Sequence, residues 1–466
     1  MNSKNIRYDR QERIQHWDQT KLTNAKVAIV GTGNLAQFTA VSLTALGVGN
    51  IEIYDNNSES SSFLIPSDDK NRASSLEVKL RKMNPDVNIN GLRLEKESAP
   101  SLGNPDLVID LTNSPKTKRE VIMHALTKGI RVISASTGKT GGEMYFAKPG
   151  EEGLELRLDK YSGVEQGAFP SEIFGGMIAE EVRKALMPLK EGEAPVKGIG
   201  YHATSEKRFT KQEDFEAQPC EDISKKRVLI VGAGALGNFV ALGAALEGVG
   251  NIDILDFDEV EAHNLNRQIM FYDSVGQKKS TALAEKIKQL RPDIKVRGLV
   301  GKLDEKTTYF EQHKPDVILD CVDNFATRAI TNYFAVHYGI PLVSGGTNSQ
   351  SGQVVVYEPG MSACLDCKLG VEKALGMALQ GSKCTNAPDP SVIMTNEVIG
   401  GMMVGEALKV FDKGYGAPVS RILKYDSTVP VRGGLIGADE SCGCTKGDIN
   451  AWLGKLKETY STRGAK

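Results

Sequence analysis

Residues 27–55 read VAIVGTGNLAQFTAVSLTALGVGNIEIYD, and 201 positions later residues 228–256 read VLIVGAGALGNFVALGAALEGVGNIDILD. An internal repeat constrains a fold strongly, because each copy must build the same supersecondary unit. Each copy is an apolar run, a glycine turn, a stretch with apolar residues at helical spacing, and a second apolar run ending in Asp55 or Asp256. That order is a βαβ nucleotide-binding unit. The match continues: 132–150 parallels 342–360 at offset 210, and EIFGGMIAEEVRK (172–184) parallels EVIGGMMVGEALK (397–409) at offset 225. The predicted fold class is α/β, with two doubly wound Rossmann-like domains related by a pseudo-two-fold axis. The expected boundaries are 1–222 for the first repeat and 223–446 for the second. A helical tail, 447–466, carries Ile449, Trp452, Leu453 and Leu456 on one face.

Composition narrows the function class mainly by exclusion. A net charge of -2, with scattered Lys and Arg, gives no polybasic footprint for nucleic acid. Residues 1–21 lack the apolar core of a signal peptide, and no run reaches the roughly 18 apolar residues of a membrane helix. The expectation is a cytoplasmic protein with no nucleic-acid or membrane partner. Seven cysteines, five of them between 364 and 444, read in a reducing compartment as metal ligands or catalytic groups before disulfides.

The differences between the repeats locate the chemistry. From Asp256 to Pro292 is 36 residues, but from Asp55 to Pro85 only 30; the first repeat is shortened where the second carries NLNRQ (264–268). Asp323 of the second repeat faces Asn113 as its counterpart, and Gly237 faces Ala36. The first repeat therefore reads as a scaffold without replacements for the missing charges. In GAGALG, Gly232, Gly234 and Gly237 let the backbone approach a phosphate at a helix N-terminus, and Asp256 suits a ribose hydroxyl. That much fits NAD, FAD or ATP. Asn264, Arg267, Gln268 and Lys279 add two positive charges and two amides, which suits a pyrophosphate leaving group. Asp323, in DCVDN, is placed to hold Mg2+. Each of these side chains alone is equally a surface charge or helix cap; together, after a phosphate loop, they read as a site.

GAGALG, LDFDEVEAHNLNRQ, DCVDN and the paired cysteines, in this order, resemble the adenylyltransferases that activate ubiquitin and the sulfur carriers of molybdopterin and thiazole synthesis. The resemblance implies that Asp256 binds ribose, that Asn264, Arg267, Gln268 and Lys279 contact the phosphates, and that Asp323 organises the metal. The gap from Arg267 to Lys279 is one residue shorter than is usual in the family, so Lys278 is an alternative for the lysine. RYDRQERI (7–14) resembles the family's N-terminal segment, whose arginine reaches the neighbouring subunit's ATP site; Arg10 holds that position. Cys364 and Cys367, with Cys442 and Cys444, resemble the family's four-cysteine Zn2+ site, the second pair one residue tighter; Cys220 aligns near that pair as a vestige. Cys384, in KCTNAP, resembles the thioester-forming cysteine of ubiquitin-type activators, with Lys383 beside it.

The resemblance implies adenylation of the C-terminal glycine of a ubiquitin-like β-grasp protein ending in Gly-Gly. ATP and Mg2+ are consumed, with Cys384, Arg10, Arg267 and Lys279 catalytic, and a thioester then forms on Cys384. A conjugating enzyme would be a further partner. The alternative is adenylation of a sulfur-carrier protein for molybdopterin, thiazole or tRNA thiolation, without a stable thioester. An NAD dehydrogenase and a non-turning-over nucleotide scaffold are the rivals from other classes.

Overall fold

A computed structural model describes residues 6–55, 63–66, 69–94, 102–151, 161, 164–211, 213, 216–379, 390–429, 432–438 and 440–461. The first repeat forms β1 (Lys26–Val30), β2 (Asn50–Asp55), β3 (Asn88–Arg93), β4 (Leu107–Asp110), β5 (Arg131–Thr137), β6 (Gly141–Ala147) and β7 (Gly198–His202). These make one sheet in the order β3-β2-β1-β4-β5-β6-β7, parallel from β3 to β5 and antiparallel beyond. The second repeat forms β8 (Arg227–Val231), β9 (Asn251–Asp256), β10 (Lys295–Val300), β11 (Val317–Asp320), β12 (Leu342–Thr347), β13 (Ser351–Tyr357), β14 (Ile422–Asp426) and β15 (Gly433–Ile436). Its order, β10-β9-β8-β11-β12-β13-β14-β15, repeats the pattern and adds one edge strand. The two mixed, mainly parallel sheets with interleaved helices are the doubly wound α/β pair that the repeat predicts. The order in which strands are added reverses at the parallel pair β8 and β11, the switch point where such sheets bind ligands beyond their strand ends.

Helices α1 (Asn34–Leu46), α2 (Arg72–Met83) and α3 (Ala168–Leu186) belong to the first repeat; α4 (Ala235–Glu247), α5 (Lys279–Leu290), α6 (Phe325–Tyr338), α7 (Val371–Leu379) and α8 (Ile393–Phe411) to the second. α1, α3, α4 and α8 are buried almost throughout and join both repeats in one hydrophobic core. The GGM motif shared by α3 and α8 explains their close crossing. A Cβ on Gly176 would stand 2.6 Å from the Met394 carbonyl oxygen, and one on Gly401 2.8 Å from that of Phe169. Only glycine lets the two backbones approach this far.

The halves are also latched by exchanged arginines. Arg208, at the end of the first repeat, donates from Nε to Glu406 on α8 at 3.0 Å, and Lys409 shares that carboxylate at 2.6 Å. Arg432, at the end of the second, reaches Glu181 on α3 at 2.8 Å, and Lys184 lies 3.1 Å from it. Both arginines adopt positive φ, 56° and 66°. Buried charges must be paired to be tolerated, and here each repeat supplies a second cation to the other's buried glutamate.

The tail is helix α9 (Ile449–Ser461). Its predicted apolar face packs against α6 and α7: Trp452 lies 4.7 Å from Tyr333, and Leu456 is buried in the same cluster as Leu375. No helix among the described residues is long and apolar enough to cross a membrane.

Candidate active site

The glycine loop between β8 and α4 has the geometry its sequence requires. Gly232 has φ +98°, and a Cβ there would stand 2.9 Å from the Cys321 carbonyl oxygen; on Gly237 it would stand 2.0 Å from that of Gly232. Around Gly234, the N-cap of α4, no described residue lies within 4 Å of that position, which leaves the helix N-terminus open to an anion. Asp256, at the end of β9, accepts from the Ala233 amide at 2.7 Å and the Asp258 amide at 2.8 Å. Burial nevertheless holds its carboxyl above the ordinary range.

The NLNRQ segment follows β9 in the chain. Glu261 and Asn264 form a reciprocal cap on a short 3-10 helix, Ala262–Asn264. Arg267, nearly buried, donates from Nη1 to the His263 carbonyl at 2.9 Å and to Asn266 Oδ1 at 2.7 Å. Burial pulls its guanidinium down to about 10; Arg10 adds repulsion, and Asp323 opposes both. Arg10 comes from the other repeat, so the N-terminal segment stands close enough to act on Arg267. It is docked by Arg7 Nη1, which donates to the Leu265 carbonyl at 3.1 Å, and by Ser391, whose amide donates to the Arg10 carbonyl at 3.4 Å. Gln268 is buried, and its Oε1 has no hydrogen-bond partner among the described residues.

Of the two candidate lysines, Lys279 is the one turned into the site. It opens α5, is buried, pairs with Asp258 at 3.0 Å, and its charge is felt by Asp256 and His263. Lys278 is only half-buried and pairs with Glu259 at 3.1 Å. Asp323 is exposed on the loop after β11, held to it through Arg328, which donates to the Val322 carbonyl at 2.7 Å and to Ser344 Oγ at 2.9 Å. Gln11, Asn266, His263 and Asp258 join these residues without any motif of their own to mark them. Gln11 and Asn266 lie inside quoted motifs, beside Arg10 and Arg267, but nothing in a linear pattern pairs residues 255 positions apart.

The first repeat corrects one expectation. It does hold a cation where Lys279 stands: Arg72 opens α2 as Lys279 opens α5. Arg72 is buried, donating to Thr32 Oγ1 at 2.9 Å and its carbonyl at 3.0 Å, 4.0 Å from Asp55. Gln166 Oε1 accepts from the Leu35 amide at the start of α1, and its Nε2 donates to Asn113. The first repeat's glycine loop is thus closed by the protein's own side chains.

Cys364, Cys367, Cys442 and Cys444 converge, with their sulfurs all within 4.8 Å of one another. Four thiolates about 2.3 Å from one tetrahedral Zn2+ stand about 3.8 Å apart, so the set fits that ion. The Cys364 amide donates to Cys442 Sγ at 3.1 Å. Burial opposes ionisation of Cys442, but this and other backbone donors outweigh it and lower the thiol below its ordinary value. Cys220 is outside the group; its thiol faces Asp412 at 3.5 Å. Cys321 is buried under the glycine loop. Cys384 and Lys383 lie outside the described residues.

Several known proteins share this architecture in sequence. The chain is 35% identical over 220 residues to the molybdopterin-synthase adenylyltransferase of Escherichia coli, covering 46% of this chain and 83% of that protein. It is 31% identical over 214 residues to the sulfur carrier protein adenylyltransferase of Thermus thermophilus, covering 44% of this chain and 77% of that one. A Zea mays adenylyltransferase and sulfurtransferase is 33% identical over 217 residues; 46% of this chain matches, and it spans only 45% of the plant protein. Residues 8–213 and 205–432 match one family separately, so on both repeats this chain belongs to the ThiF family.

Proposed function

We propose that this chain is an ATP-dependent adenylyltransferase that activates the C-terminal glycine carboxylate of a β-grasp sulfur-carrier or ubiquitin-like protein at its second repeat. The observation that carries the reading is the gathering of Arg10, Arg267 and Lys279 from both repeats beside an open helix N-terminus. Cations held this close, with Arg267 depressed by burial and by Arg10, are set to receive polyphosphate.

In this reading Gly232, Gly234 and Gly237 admit the phosphates, Asp256 takes the ribose, and Asn264 and Gln268 offer amides. Asp323 would hold Mg2+, which would screen the phosphate charge. The carrier carboxylate oxygen attacks the α-phosphorus, the bond to the bridging oxygen of pyrophosphate breaks, and pyrophosphate leaves. Arg10, Arg267 and Lys279 stabilise the charge that develops. The four cysteines would hold a structural Zn2+ that ties residues 364–367 to the tail.

Sulfur transfer is the better-supported fate of the adenylate, because relatives of this chain are named for molybdopterin synthase, sulfur carriers and sulfurtransfer. The thioester on Cys384 is the second reading; it rests on the KCTNAP motif alone. Pyrophosphate exchange with MgATP and candidate β-grasp proteins tests the activity, and gels with and without thiol test its fate. Exchange without a thiol-sensitive adduct supports the sulfur-carrier reading. An adduct lost in Cys384→Ala, with exchange retained, supports the thioester. Absence of exchange with every carrier, in a chain that binds no ATP, rejects both.

A further inference from the structure

One hydrogen-bond chain crosses between the repeats and ends on Arg267. Gln11 is fully buried in the N-terminal segment. Its Nε2 donates to the Leu46 carbonyl at the end of α1 at 3.0 Å and to Gln19 Oε1 at 2.7 Å, both within the first repeat. Its Oε1 accepts from Asn266 Nδ2 of the second repeat at 3.1 Å. Asn266, equally buried, accepts through Oδ1 from Arg267 Nη1 at 2.7 Å.

The polarity of this chain is forced. Arg267 has only donors, so Asn266 must turn its oxygen toward it and its nitrogen toward Gln11. The Leu46 carbonyl has only an acceptor to offer, so Gln11 must turn its nitrogen there and its oxygen toward Asn266. Flipping either amide would set like against like in a buried place, where an unmade hydrogen bond is expensive. Among the described residues this chain occurs once. The counterpart of Asn266 falls in the stretch shortened in the first repeat, and the segment before the second glycine loop has no counterpart of RYDRQERI.

Arg267 needs such a hold. It is nearly buried, and Arg10 repels it. We infer that Gln11 and Asn266 are positioning residues that fix the Arg267 guanidinium for phosphate, so that the anion site is complete only while the first repeat's N-terminal segment is docked. The inference rests on the nucleotide reading above. It goes beyond the arginine supplied across the junction, because Gln11 touches no ligand and acts through a residue of the other repeat.

The test is calorimetric binding of MgATP and of adenosine to the full chain. Gln11→Leu frees Asn266 to turn from Arg267; losing that hydrogen bond to a charged group should weaken MgATP about tenfold and leave adenosine unchanged, since adenosine has no phosphate for Arg267. In an Arg267→Ala background the same substitution should change MgATP affinity no further. Asn266→Ser, which cuts the chain from the other side, should reproduce the selective loss, and serves if Gln11→Leu fails to fold. Equal weakening of both ligands, an undiminished effect in the Arg267→Ala background, or unchanged MgATP affinity in a folded variant overturns the inference. Failure of the unaltered chain to bind MgATP instead overturns the nucleotide reading.

Discussion

Glu172 and Glu397 occupy matching positions on α3 and α8, and both are fully buried where the repeats meet. Glu397 accepts a hydrogen bond from Ser42 Oγ on α1. The counterpart of Ser42 in the second repeat is Gly243, at offset 201, so Glu172 finds no hydroxyl. Neither of its oxygens has a hydrogen-bond partner among the described residues, and a Cβ on Gly243 or Gly400 would stand 2.6 Å from one of them. Burial, then Glu397 and Glu247, push its carboxyl well above the ordinary range. A buried polar group left unsatisfied costs about 1–3 kcal/mol. The free energy of protonating an ordinary carboxyl at pH 7, about 3–4 kcal/mol, caps the further cost of keeping it neutral. Glu172→Met, similar in length and fully apolar, should therefore stabilise the chain by about 1–3 kcal/mol at pH 7. Glu397→Met strands the Ser42 hydroxyl instead and should gain less or lose. The sign with pH follows from linkage. A raised folded-state pKa means that above the unfolded value the native chain holds a proton the unfolded chain has released, so Glu172 lowers stability as pH rises from about 4.5. The advantage of Glu172→Met should shrink as pH is lowered toward that value. Urea unfolding at pH 5 and pH 7 measures it. A Glu172→Met chain less stable than its parent at pH 7, or a gain that grows on acidification, would refute the reasoning.

Three further outcomes are expected. Arg208→Met leaves buried Glu406 with Lys409 alone, and should cost about 3–5 kcal/mol in the same unfolding experiment, the usual penalty for breaking a buried pair. Lys279→Ala should weaken MgATP binding at least about tenfold and Lys278→Ala less than about twofold, because only the first is buried in the site while the second belongs to a half-exposed surface pair. Cys442→Ser should reduce bound zinc, measured by metal analysis, from about one per chain toward none. It should also expose the tail to limited proteolysis, since Gly447 and Lys446 are held to Tyr333 and His337 beside the cysteines.

Much of this protein is written in its linear pattern. The duplicated βαβ unit is legible because apolar periodicity and the glycine turn are local properties, fixed by backbone sterics within thirty or so residues. The cysteine pairs are legible for the same reason: ligand spacing is a short-range signal. The tail's apolar face is a helical repeat of 3.6, and it packs as that repeat requires. Sequence comparison of the halves also identifies which repeat holds the polar set.

The tertiary structure alone decided the rest. That Arg72 fills its own repeat's glycine loop depends on where a long side chain folds back, which spacing does not encode. The exchanged latches, Arg208 to Glu406 and Arg432 to Glu181, join residues about 200 and 250 positions apart. The same is true of the Gln11–Asn266 link, and of Glu172 meeting Gly243 where its twin meets Ser42. A sequence determines which groups exist and what local backbone they sit on. Which buried donor meets which acceptor across two packed repeats is settled only when the chain closes, because hydrogen bonds and ion pairs act over about 3 Å and carry no signature along the chain.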